Sequence, residues 1–218
     1  MFHAVTTKIL VNEEVTPANL QTELDRLQDQ GTDKDFRLLF LSGHGAMNDQ
    51  SEYYFLCYDH RIRAGTTAGF LNDKPWSDLL RPLKAQGRSI LIVDTCHAAA
   101  ASRDADFNTV LKNTTAEILS LVTYAASTGT ENSQELAELG HGVFTKALLD
   151  ELNAKTPGSG GGFIFTDELG VALRQRVTAL LGDPQNPVQH PVSFILPNGL
   201  PAYPLFARPK ESSANVAK

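Results

Sequence analysis

Two apolar runs, each followed by a reactive polar segment, constrain the fold of this chain most strongly. FRLLFL leads into SGHG over residues 36–45, and ILIV leads into DTCH over residues 90–97. Short runs rich in branched and aromatic residues are typical of buried strands. If both strands end in one sheet, the imidazole of His44 and the thiol of Cys96, 52 residues apart, meet at the same edge.

The segments around these runs predict an α/β fold. Apolar residues at helical spacing alternate with short apolar runs, a pattern typical of a mostly parallel sheet layered with helices. The chain has 218 residues, which is enough for one domain with its own core. We predict a domain over residues 1–207 and a disordered tail over residues 208–218.

Charge and cysteine content argue against several classes of function. The formal net charge of −6 disfavours nucleic-acid binding, which uses basic surfaces. Two cysteines offer no disulfide framework and indicate a reducing compartment. No apolar run reaches the roughly 20 residues of a membrane span, and the first residues lack the pattern of a signal peptide. The sequence therefore predicts a cytoplasmic protein that binds neither nucleic acid nor membrane.

His44 and Cys96 are the two groups that catalysis by a thiol requires. The thiolate is the nucleophile, and a positioned imidazole can raise its fraction and later protonate a leaving amine. The backbone amides of Gly45 and Cys96 are candidate donors to the developing oxyanion. Taken singly, such residues are more often a loop histidine and a buried, inert thiol. Their joint position after two strands favours catalysis. No Cys or His pair has the spacing of a zinc site, so no metal is predicted.

These segments resemble the caspase-like superfamily of cysteine peptidases, family C14, on its metacaspase and bacterial side. The resemblance rests on SGHG and DTCH with their apolar runs, and on YFLCYD at residues 54–59 and GHGVFT at residues 140–145. It spans residues 8–206 and implies a three-layer sandwich, a mostly parallel sheet with helices on both faces. It also implies a His44/Cys96 dyad acting on a protein or peptide substrate. Some members use calcium, and the resemblance is the only reason to name that ion.

A preference for basic side chains is a further implication of the resemblance. In metacaspase-like enzymes the acidic residue two positions before the cysteine lines the specificity pocket, and Asp94 occupies that position here. Ser42, two positions before the histidine, is similar to another pocket residue. A carboxylate at the base of a narrow pocket attracts Arg or Lys and repels Asp. Cleavage after Arg or Lys is therefore predicted.

One departure from the family keeps a second function open. Members usually begin with a hydrophobic strand that lies between the strands predicted here at residues 8–11 and 36–41. Its absence would leave unpaired backbone groups, so either the rest of a longer chain or a dimer partner completes the sheet, or the sheet has closed up differently. The alternative function is a catalytically inactive scaffold or regulatory module. A thiol-dependent α/β hydrolase is disfavoured, because the histidine here precedes the nucleophile.

Overall fold

The computed structural model describes most of the chain in separate ranges. These ranges are residues 4–48, 52–60, 73–84, 87–97, 109–113, 118, 121–128, 134–136, 140–154, 162–182, 189–195 and 202–207. The predicted tail at residues 208–218 lies outside them.

Helices and short strands alternate along the chain. The α-helices are α1 (Pro17–Asp29), α2 (Trp76–Leu80), α3 (described over residues 109–113), α4 (Val143–Asn153) and α5 (Thr166–Leu181). Two 3-10 helices cover Asn12–Glu14 and Arg81–Lys84. The strands are β1 (Phe36–Met47), β2 (Tyr53–Phe55), β3 (Lys74–Pro75), β4 (Arg88–His97), β5 (Leu121–Ala125), β6 (Glu135–Leu136), β7 (His141–Gly142), β8 (Phe163–Phe165), β9 (Val192–Ile195) and β10 (Pro204–Ala207).

Six strands form one mixed sheet in the order β3-β2-β1-β4-β5-β9. Its centre, β1-β4-β5, is parallel, whereas β2, β3 and β9 pair antiparallel at the flanks. The pairs β8–β10 and β6–β7 form two small separate sheets. The predicted α/β fold is confirmed, and the sheet, which was predicted to be mostly parallel, is mixed and parallel in its core, over β1, β4 and β5.

The two faces of the sheet bury separate apolar clusters. On one face, Leu91 and Val93 of β4 pack with residues of α1, α2 and the 3-10 helix after α2. On the other face, Ile90 and Ile92 pack with residues of α4 and α5. Successive side chains of a strand point to opposite faces, so the continuous apolar run of β4 supplies both clusters. The result is three layers with helices on both faces.

Local sequence signals account for where the helices begin and end. Thr16 precedes α1, and its hydroxyl oxygen accepts a hydrogen bond from the Asn19 amide at 3.2 Å. Pro17 occupies the first turn, where its missing N–H costs nothing. Helix α5 ends at Gly182, whose φ of 77° lies in the left-handed region that glycine tolerates best.

Three expectations about the strands need correction. Residues 8–11 form no strand and are largely exposed, so their apolar composition does not reflect pairing. Strands β1 and β4 do not stop at the polar segments but continue through them, to Met47 and His97. Strand β1 is also less buried than its composition suggests, since Leu38 and Phe40 are 38% and 39% exposed.

The edge of β1 that faces away from β4 is only partly covered. Strand β2 pairs with it over Gly45–Met47, and no described strand pairs with it between Leu38 and Gly43. Within the described ranges, no helix has the length and apolar character needed to cross a membrane.

The packing of α5 on the sheet yields a stability prediction. Leu173 of α5 is 1% exposed, whereas Val171, two residues earlier, is 46% exposed. Leu173→Ala should lower the free energy of unfolding by about 2–5 kcal/mol, because it removes buried methyl groups and leaves a cavity. Val171→Ala, the control on the same helix, should change it by less than about 0.5 kcal/mol. Denaturant unfolding measures both, and equal effects would contradict the assignment of the buried face.

Candidate active site

The parallel pairing of β1 with β4 brings the two predicted catalytic residues into register. Position by position the strands pair from Phe36 with Arg88 to Gly45 with His97, and His44 is the partner of Cys96. Neighbouring strands lie about 4.8 Å apart, and register partners of a parallel pair share a face. His44 is exposed to solvent. Positions 44 and 96 are therefore neighbours on one face of the sheet.

The two predicted pocket residues form the preceding pair on that face. Ser42 is the register partner of Asp94, two positions before His44 and Cys96. Alternate residues of a strand share a face, so all four positions lie together. Ser42 is exposed, while Asp94 is 7% exposed. The four positions that the sequence analysis identified are thus two adjacent register pairs on one face of the sheet.

The beginning of α4 contacts the side chain of Asp94. The hydroxyl of Thr145 donates a hydrogen bond to Oδ2 of Asp94. Gly142, which caps this helix, is so close that a Cβ there would lie 3.1 Å from the same oxygen. A helix N-terminus favours a negative charge beside it. The start of α4 thus presents its positive end and a hydroxyl donor to this carboxylate.

A tyrosine explains the need for glycine at position 45. The hydroxyl of Tyr53 lies 2.8 Å from Oγ1 of Thr95, and a Cβ on Gly45 would collide with that tyrosine. The Tyr53 ring is itself packed edge-on against Trp76, with ring centroids 5.3 Å apart. Gly45 lies in register with both His97 and Phe55, inside the sheet. This glycine therefore has a packing role, and its amide as an oxyanion donor stays a prediction.

The second cysteine is in a setting that suppresses thiol chemistry. Cys57 is buried, and that burial, with the nearby Asp73 and Asp59 carboxylates, raises the pKa of its thiol to about 12. Its backbone N–H donates to Oδ1 of Asp73 at 2.9 Å. Nδ1 of His60 lies 2.6 Å from Oδ2 of the same carboxylate. Cys57 is thus a core residue, which leaves Cys96 as the candidate nucleophile.

Sequence patterns found the residues on the strands but not those that support them. The His60–Asp73 pair spans 13 residues, and Thr145 reaches Asp94 across 51. No local spacing signals either contact. Among the described residues, no group of three or more His, Cys, Asp or Glu side chains could hold a metal ion.

Comparison with known proteins identifies a family. The family model of the caspase domain, a peptidase family, matches residues 2–190. That range includes both register pairs of the site and the contact between Thr145 and Asp94. A search of curated proteins finds no match.

The environment of Cys57 predicts which thiol reacts. At about pH 8 a buried thiol with a pKa near 12 is almost wholly protonated, so a disulfide reagent should not label Cys57 in the folded protein. Cys57→Ala should therefore leave the native labelling unchanged. In denaturant the wild type should report two thiols and the variant one. A drop in native labelling on Cys57→Ala would contradict this assignment.

Proposed function

Because the chain belongs to the caspase-domain family, we propose that it is a cysteine endopeptidase that uses His44 and Cys96 and cleaves after Arg or Lys. The observation that supports this most is the register of His44 with Cys96 on adjacent parallel strands. A nucleophile and its base must be able to come within hydrogen-bond reach, and the neighbouring positions of these two residues on one face support that pairing.

In the proposed mechanism, His44 assists both halves of acyl transfer. The Cys96 thiolate attacks the carbonyl carbon of the scissile peptide, and the imidazolium of His44 protonates the amine as the C–N bond breaks. Water then attacks the thioester carbonyl and gives a proton to the now neutral imidazole of His44, and the C–S bond breaks to release the carboxylic acid and restore the thiolate. Amides of Gly45 and Cys96 are the proposed donors to the oxyanion.

Specificity for a basic residue is supported by the environment of Asp94. Its carboxylate is close to the start of α4 and shares a face with His44 and Cys96. An Arg or Lys side chain that reached this carboxylate would form a charge-assisted contact, whereas an acidic side chain would be repelled.

The part of the β1 edge with which no described strand pairs supports a further partner besides the substrate. Backbone groups of a sheet edge are a template for pairing with another strand. We propose that a longer chain or a second copy of this one covers the edge between Leu38 and Gly43. A cytoplasmic location is also proposed, on the strength of the low cysteine content.

An inactive scaffold is the alternative function, and the same partly open edge favours it. If β1 needs another strand to hold His44 in place, the isolated chain could bind peptides without cleaving them. The two functions differ in turnover, so cleavage assays distinguish them.

Fluorogenic peptides that differ only in the residue before the reporter test the proposal. The protein should release the reporter from Arg- and Lys-ending peptides and leave the Asp-ending one intact. Cys96→Ala and His44→Ala should each lower kcat/KM by a factor on the order of 10³ or more, as expected for members of one catalytic unit.

His141→Ala is the matched control, because His141 is also exposed and glycine-flanked but lies on β7. It should leave kcat/KM within about twofold of the wild-type value. Cleavage of the Asp-ending peptide alone would overturn the specificity. Peptide binding without turnover, unchanged in Cys96→Ala, would favour the scaffold.

A further inference from the structure

A closed ring of hydrogen bonds and short backbone segments passes through Asp94 and connects it to elements far away in the sequence. The carbonyl of Val93, the preceding residue, accepts from the Ala126 amide at 2.8 Å. The carbonyl of Ala126 accepts from the side chain of Gln189, also at 2.8 Å. The oxygen of that side chain in turn accepts from the Gln134 amide at 2.8 Å.

The ring closes through the start of α4. The carbonyl of Gln134 accepts from the amide of Val143, the first residue of α4, at 2.9 Å. Two residues later, the hydroxyl of Thr145 donates a hydrogen bond to Asp94. Gln189 is fully buried, and it bonds to both sides of this ring. A buried amide that satisfies partners on two segments fixes the distance between them.

We propose that Thr145 is a positioning residue for the Asp94 carboxylate and thereby sets the selectivity for a cationic side chain. This inference rests on the proposed function and adds a determinant to it. The hydroxyl of Thr145 fixes the rotation of the carboxylate, because a hydrogen bond from a hydroxyl to a carboxylate oxygen is directional and charge-assisted. The ring through Gln189 keeps the start of α4 close enough to β4 for Thr145 to form this hydrogen bond.

Two substitutions separate the hydroxyl from the bulk of Thr145. Thr145→Val keeps the shape and removes the donor, whereas Thr145→Ser keeps the donor. For two peptides that end in Arg or in its uncharged isostere citrulline, the Arg-to-citrulline ratio of kcat/KM should fall about tenfold or more in Thr145→Val. Thr145→Ser should recover most of the ratio.

A control variant, a binding measurement and thermal melting separate the effect of the Thr145 hydroxyl from effects on folding and on turnover. Thr178→Val removes a hydroxyl from an exposed part of α5, where it donates to the Arg174 carbonyl, and should leave the ratio unchanged. In the Cys96→Ala background, binding of benzamidine, followed by NMR, should weaken with Thr145→Val and be lost with Asp94→Asn. Thermal melting of each variant reports on folding.

The outcomes for this inference and for the proposed function are distinct. If the wild type prefers Arg and Thr145→Val keeps the full Arg-to-citrulline ratio, positioning by Thr145 is wrong and the proposed function stands. Equal loss in the Val and Ser variants, accompanied by lower melting temperatures, would also overturn it in favour of a structural role. If the wild type cleaves only after Asp, the proposed function itself fails. Benzamidine binding that depends on Asp94 and Thr145 supports positioning even without turnover.

Discussion

The register in which β1 pairs with β4 determines the positions of the site residues and of the core residues beside them. It aligns ten residue pairs, and the last of these include Ser42 with Asp94 and His44 with Cys96. A slip of one residue would turn every side chain of β1 to the opposite face, so the register is coupled to burial. Leu41 faces the α1 and α2 layer, and this alternation leaves His44 on the opposite face, toward α4 and α5. The packing of the core and the geometry of the site are therefore set by the same register.

The candidate site is built on the paired strands β1 and β4 and is contacted by α4, a helix that comes later in the sequence. Strands β1 and β4 supply the reactive and pocket positions, while Tyr53 ties β2 to Thr95 on the opposite face of β4. Thr145, at the beginning of α4, donates a hydrogen bond to Asp94. The candidate site residues lie in the sheet, and Asp94 is also contacted by the helical layer that contains α4. A shift of α4 against the sheet would alter the pocket carboxylate before it altered the pairing of His44 with Cys96.

Sequence patterns predicted the parts of this arrangement that are local and missed those that are not. The apolar runs before SGHG and DTCH indicated two strands, and the side-by-side positions of His44 and Cys96 followed from that. The extension of both strands beyond these segments was not predicted, because glycine and polar residues usually mark strand ends and here their backbones pair. Residues 8–11 were wrongly predicted as a strand, because composition alone does not provide a pairing partner. The buried Gln189 contacts depend on tertiary packing, for which a single sequence has no periodic signal.

If His44 activates Cys96, the rate at which iodoacetamide alkylates Cys96 must depend on His44. The measurement uses the Cys57→Ala background, so that one thiol remains, and covers about pH 5 to 9, the range in which an imidazole and an ordinary thiol titrate. An imidazolium partner stabilises the thiolate, so alkylation at about pH 6 should be roughly tenfold or more faster with His44 than with His44→Ala. Identical rate profiles in the two proteins would rule out activation by His44, since Cys96 would then react as an isolated thiol.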